Sequence, residues 1–261
     1  MSLKPKKSLG QNFLIDKNII NKIIHAAGIV SSDVVLEIGS GTGNLTKFIV
    51  SQKPKKIYLI EKDENLANAL EKQYLNKISI IKKDILKIPY KFYSGKKFLI
   101  LGNLPYNIST KILSDWCLNK KLTVSKMILM FQKEVAERIL ADVNSKNYSR
   151  ITILSNWKFE IKKVIDVKPN SFFPKPRVHS TVLEFVPKKS FQNIKDPKNL
   201  EKITKVFFSQ RRKMIKKPIN ILFKNFQFNY MKFNLRPSHR PQNIDVNKYL
   251  KIVNEYESLG N

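Results

Sequence analysis

A strand-like run, Phe98 to Leu101, leads straight into Gly102-Asn103-Leu104-Pro105-Tyr106-Asn107. Asparagine, proline and aromatic residues also decorate ordinary turns. At the carboxyl end of a strand in an open sheet, however, such a turn sits where ligands bind, and its groups suit one task. The exocyclic amine of adenine is a poor nucleophile because its lone pair is delocalised into the ring, so a catalyst must hold it in a geometry that localises that pair. Two acceptors aimed at its two N–H bonds do this. The side-chain oxygen of Asn103 and the carbonyl of Leu104, fixed in direction by Pro105, are the expected acceptors, and Tyr106 offers a face for the base. No strong general base is required, because the nitrogen becomes acidic once it is alkylated. Phe172-Phe173-Pro174-Lys175-Pro176-Arg177 supplies a second aromatic on a proline-stiffened loop. Phe173 is expected to close over the other face, each stacked base gaining about 1–3 kcal/mol against the unstacking cost.

A second constellation lies upstream. Val35-Leu36-Glu37-Ile38-Gly39-Ser40-Gly41-Thr42-Gly43 places glycines where a strand ends and a helix begins, letting the backbone turn tightly and approach a ligand. The spacing is G-x-G-x-G, with Asn44 where a dinucleotide fingerprint wants its third glycine. With no pyrophosphate to cradle, the loop suits an adenosine carrying an uncharged or cationic tail, as in S-adenosylmethionine. The next strand ends at Glu61, whose carboxylate is placed to accept from both ribose hydroxyls. The third ends at Asp84, placed to bond the adenine amine while Ile85 packs on the ring. Gly39, Gly41, Glu61, Asp84 and Ile85 are therefore the expected cofactor contacts.

The elements that must position these residues follow from periodicity. Short β-branched runs (34–38, 56–60, 78–81, 98–101 and 126–131) alternate with segments carrying apolar residues at spacings of three and four (42–51, 63–74, 109–118 and 133–141), which predicts βαβ units and a mostly parallel sheet. Two further extended stretches, 151–159 and 181–186, are expected to form an antiparallel terminal pair around the proline-rich 167–177. From residue 188 the pattern turns helical, over 200–208, 218–223 and 246–256. The expected domains are 1–187, an α/β sheet domain, and 188–261, a small all-helical domain.

Charge points to a polyanion. The 261 residues hold 49 Lys and Arg against 20 Asp and Glu, a net charge of +29. Residues 188–261 hold 17 basic and 5 acidic residues, nearly twice the net charge per residue of the rest. Because 42 of the 49 are Lys, compositional drift accounts for part of this. Arg211, Arg212, Lys213, Lys216 and Lys217, clustered after an apolar helical stretch, are the expected phosphate contacts. One Cys and three dispersed His exclude a disulfide framework and argue against a metal site. Cys117, Trp116 and Trp157 read as packing residues. The basic N-terminus (Lys4, Lys6, Lys7) leads into no apolar run, so a soluble, unprocessed, cytoplasmic protein is expected, a monomer by default.

Together, Gln11-Asn12-Phe13-Leu14, the Glu37 to Gly43 loop, the Gly102 to Asn107 turn, Phe131 to Arg138 and Phe172 to Val178 resemble the KsgA-type ribosomal RNA adenine dimethyltransferases across nearly the whole chain. The basic Phe208 to Lys213 resembles that family too. The resemblance implies a Rossmann-like, class I S-adenosylmethionine-dependent methyltransferase sheet, with Gln11, Asn12, Leu14 and Asn103 joining the cofactor contacts and Asn103 also facing the target amine. It also implies two methyl transfers to each of two adjacent adenines near the 3′ end of 16S ribosomal RNA, on a maturing 30S subunit. Two segments depart from the family pattern: Leu235 to Pro241 matches only loosely, and His179 stands where an acidic residue is frequent. A resistance-type 23S ribosomal RNA adenine methyltransferase and a non-catalytic ribosome assembly factor remain open alternatives. A nicotinamide dehydrogenase is excluded by the missing third glycine and the lack of a hydride-transfer acid.

Overall fold

The computed structural model describes residues 5–6, 9–224 and 226–260, so Lys4 and Lys7 lie outside it. In chain order the strands are β1 (Phe13–Leu14), β2 (Val34–Ile38), β3 (Lys56–Ile60), β4 (Ser79–Ile81), β5 (Lys97–Asn103), β6 (Thr123–Gln132), β7 (Phe159–Val167), β8 (Phe172–Phe173) and β9 (Ser180–Pro187). The helices are α1 (Lys17–Ala27), α2 (Asn44–Ser51), α3 (Glu64–Gln73), α4 (Ser109–Leu118), α5 (Lys133–Ile139), α6 (Arg150–Lys158), α7 (Pro197–Ser209), α8 (Lys216–Leu222) and α9 (Val246–Ser258).

Among the described residues, seven strands form one sheet in the order β4-β3-β2-β5-β6-β9-β7, and β1 pairs with β8 in a separate antiparallel ribbon. Strands β2 to β6 run parallel and β9 antiparallel to β6. The parallel strands are near-continuous apolar runs because both faces are covered: Val35, Leu36, Leu59, Phe98, Ile100 and Leu101 are fully or almost fully buried. The chain leaves β2 outward through β3 and β4, then returns to lay β5 on the other side of β2. That reversal opens a crevice at the strands' carboxyl ends. Register places the groups that meet there, since Ile38 lies opposite Ile60 on β3 and opposite Gly102 on β5. The residues immediately beyond these three therefore emerge side by side.

The expected extended stretch at 151–159 is instead helix α6. A capping box starts it: the Ser149 amide donates to Thr152 Oγ1 at 3.0 Å while the Ser149 side chain receives the first-turn backbone. Ile151, Thr152, Ile153, Leu154, Ser155 and Trp157 are all buried. A helix buried around most of its surface shows no amphipathic period, and its Ile-Thr-Ile-Leu run reads as a strand. The strand begins where α6 ends, as β7, beside β9 in the sheet.

The chain divides into two compact units, one of Met1–Leu113, Lys120–Ala136 and Glu160–Pro187, the other of Ser114–Asn119, Glu137–Phe159 and Lys188–Asn261. The second gathers α6 to α9 around buried Phe207, Tyr249, Phe223 and Tyr256. Glu257 of α9 accepts from the Lys195 and Asp196 amides at 2.7 and 2.8 Å. No helix among the described residues is long and apolar enough to cross a membrane.

Candidate active site

The first unit's cleft opens over the carboxyl ends of β2, β3 and β5. Its lining includes Gln11, Asn12, Leu14, Gly39, Gly41, Glu61, Asp84, Ile85, Asn103, Leu104, Pro105 and Tyr106, the residues expected from the sequence with one exception. Phe173 does not line it. It stands 59% exposed on β8, directly opposite Phe13 of β1, which does.

Gly41 has a φ of +55°, and a Cβ there would lie 2.8 Å from the Phe13 ring. The loop is therefore built for glycine at that point by both conformation and space. The Gly41 amide donates to Glu61 Oε2 and the Asp63 amide to Oε1, each at 2.9 Å. The Lys62 amide acts on the same carboxylate, which still has accepting capacity left for a ligand. Burial raises the Glu61 carboxyl above the usual range against these bonds. Glu37, inside β2, is pushed up to about 8 by burial, opposed by a 2.7 Å bond from Thr46 Oγ1 and reinforced by nearby Glu61. Asp84 is partly buried, which alone would raise it, but the Leu86 amide and the Lys62 ammonium, each at 3.0 Å, hold it below the usual carboxylate range.

Residues 9–14 form a strap across this cleft, tied down by bonds the sequence does not announce. Asn44 Nδ2 donates to the Leu14 carbonyl at 2.7 Å, and Gln11 Nε2 to Asp63 Oδ2 at 3.1 Å. Asn103 Nδ2 donates to the Asn12 carbonyl at 2.8 Å. That bond uses one of the amide's two N–H donors, fixes which way the amide faces and leaves Oδ1 as the acceptor. The Tyr106 hydroxyl meets Ser180 Oγ at 2.5 Å. Ser40 Oγ is buried in the cleft wall without a partner among the described residues, a hydroxyl waiting for a ligand's polar group. Acceptor pairs on neighbouring strand ends, a glycine cradle and an apolar wall at Ile85 fit a nucleoside.

The chain matches the family model described as ribosomal RNA adenine dimethylase over residues 2–258. It belongs to that family. This dimethylase family member is 51% identical over 261 residues to the ribosomal RNA small subunit methyltransferase A of Pelagibacter ubique (strain HTCC1062), covering 99% of each chain. The dimethyladenosine transferase of Plasmodium falciparum superposes with a TM-score of 0.79 at 30% identity, over 95% of this chain and 98% of that one. A 23S rRNA methyltransferase structure superposes with a TM-score of 0.67 at 22% identity, over 96% of this chain and all of the other, and so shares the fold.

In the second unit of the dimethylase, the basic cluster spans the turn between α7 and α8 (Arg211, Arg212 and Lys213) and the first two residues of α8 (Lys216 and Lys217), with buried Ile215 between them, whose amide donates to the His239 carbonyl at 2.8 Å. Arg212, Lys213, Lys216 and Lys217 are exposed. Arg211 differs: its guanidinium donates to the Ser145 and Lys146 carbonyls. Cys117 is fully buried, which pushes its thiol up to about 12 despite Lys158 nearby. Among the described residues, no group of three His, Cys, Asp or Glu is placed to hold a metal. Sequence reasoning missed Ser40, Asn44, Asp63 and Ser180. Asn44 alone carried a signal, as a polar side chain in the slot of the absent third glycine.

Proposed function

We propose that the protein transfers methyl groups from S-adenosylmethionine to the N6 amines of two adjacent adenosines near the 3′ end of 16S ribosomal RNA, two to each, on a maturing 30S subunit in the cytoplasm. The observation that carries this reading is the meeting, in one cleft, of the Gly39 to Gly43 loop, Glu61, Asp84 and an Asn103 whose amide oxygen is left free to accept. When bound, S-adenosylmethionine supplies a methyl group as a sulfonium and leaves as S-adenosylhomocysteine. Glu61 takes the ribose hydroxyls, Asp84 the adenine amine, and Ile85 the ring face, with Gln11, Asn12 and Leu14 covering from the strap.

At the other end of the cleft, Asn103 Oδ1 and the Leu104 carbonyl accept the two N–H bonds of the target amine and turn its lone pair out of conjugation. Tyr106 stacks on the base, and Phe173, exposed and free to meet it, covers the opposite face. Each transfer forms one nitrogen–carbon bond, breaks one sulfur–carbon bond and releases one proton to water. Residues 1–187 carry the chemistry. Residues 188–261 hold RNA, with Arg212, Lys213, Lys216 and Lys217 on phosphates and Arg211 bracing the 145–146 loop beside them.

The purified protein, incubated with S-adenosylmethionine and separately with unmethylated small subunits, large subunits or adenosine, is expected to yield dimethyladenosine from small subunits alone when the digested RNA is weighed. Dimethyladenosine from large subunits would keep the chemistry and overturn the substrate. Tight subunit binding without methylation would favour an assembly factor.

A further inference from the structure

Ser180 opens β9 and is fully buried, opposite Gln132 in the antiparallel register with β6. Its position is held from behind, because the Lys133 amide donates to the His179 carbonyl at 2.9 Å. A buried hydroxyl needs a partner, and here it is the phenol of Tyr106, 2.5 Å away and 74 residues earlier in the chain. The main chain of Tyr106 is tied as well, since its carbonyl accepts from Ser109 Oγ at 3.1 Å. A tyrosine held at its backbone and at its ring tip has the long axis of its ring fixed, with only rotation about that axis left. Burial raises the phenol above its usual range, against the Ser180 bond that lowers it, which favours the neutral hydroxyl that this bond needs.

We propose that Ser180 is a positioning residue for the methyl transfer: its hydroxyl anchors the tip of Tyr106 and thereby sets where the target adenine stacks relative to Asn103. This rests on the function proposed above. The tether runs from β9, antiparallel to β6, to the turn that ends β5, so the sheet itself sets the distance between the stacking face and the amide acceptor. Its effect falls on the placement of the base. The cofactor contacts on the Gly41, Glu61 and Asp84 side do not involve it.

Ser180→Ala, Tyr106→Phe and the double variant, assayed in single turnovers on unmethylated small subunits at saturating S-adenosylmethionine, separate this role from a structural one. Ser180→Ala is expected to slow transfer about two- to tenfold, the fold-change of one lost neutral hydrogen bond, with cofactor affinity and subunit affinity unchanged. Tyr106→Phe, which keeps the ring and removes the tether, is expected to slow it equally, and the double variant no further. A Ser180→Ala variant as fast as the unaltered protein overturns the proposal. So does a double variant showing the product of both single effects, or a loss confined to cofactor affinity. Should thermal melting show Ser180→Ala to be misfolded, Tyr106→Phe decides alone, an unaltered rate overturning the tether. If the unaltered protein does not methylate, the function falls and the tether's role with it; normal methylation beside an indifferent Ser180→Ala removes only the tether.

Discussion

The first unit and the second meet their ligands' chemistry in opposite ways. In the first, a few groups are buried and directional: Glu37 and Glu61 lie 2% and 6% exposed, and Asn103 is oriented by its bond to the Asn12 carbonyl so that its acceptor faces one way. In the second, Arg212, Lys213, Lys216 and Lys217 stand in solvent across a turn and the helix start that follows it. A cleft recognises by geometry and so fails abruptly when one member is lost. A charged surface recognises by summed potential, and it degrades gradually and in proportion to salt.

The largest expected effect follows from that contrast. Asn103→Ala should lower the methyl-transfer rate by about a hundred- to a thousandfold, the range for removing one positioned polar group from a charge-developing site. Filter binding should show subunit affinity largely spared. Gly41→Ala should come next, weakening S-adenosylmethionine by roughly tenfold or more in calorimetry, because the new methyl meets Phe13 and a left-handed backbone costs about 1–2 kcal/mol. In the second unit, reversing charge at Arg211 and Arg212 together should weaken subunit binding and flatten its salt dependence. Arg212→Ala alone should reduce the logarithmic salt slope by about 1. Arg211→Ala should instead show chiefly as a lower melting temperature, since its guanidinium is spent on the 145–146 carbonyls. Equal salt slopes and equal melting for the two arginine variants would erase the distinction.

A separate effect, on stability and not on rate or binding, comes with pH. With Glu37 raised from 4.5 to about 8 in the folded protein, the unfolded chain gives up that proton first. The ligand-free protein should therefore lose stability as pH climbs from 4.5 to 8 and level off above, Glu61 acting in the same sense. Glu37→Gln should have a shallower fall in melting temperature across that window. An unchanged fall would show that Glu37 is not the source.

What could be read from the sequence follows the same division. Strands β2, β3 and β5 were legible because buried parallel strands are continuous apolar runs, and the glycine loop and the Asn103 turn were legible because they stand at the ends of those runs. Glu61 and Asp84 followed from position. Helix α6 was not legible: burial around most of its surface removed its periodicity, and its capping box uses Thr152 where Glu or Gln would have signalled a start. The site's supporting bonds were hidden for a different reason. Asn103 to Asn12 and Tyr106 to Ser180 join residues 91 and 74 positions apart, and two of the strap's anchors end on carbonyls, which carry no residue identity.

That last property has a bearing on how such a chain tolerates drift. Asn44 and Asn103 grip the strap by its main chain, so substitutions at Asn12 or Leu14 leave those two bonds available whatever side chain arrives. Two of the strap's anchors are thus recorded in asparagines outside it, and the third in its own Gln11, which reaches Asp63. Changes at Asn12 or Leu14 can therefore accumulate over the cleft without unseating the strap, provided Asn44, Asn103 and the Gln11–Asp63 pair hold still.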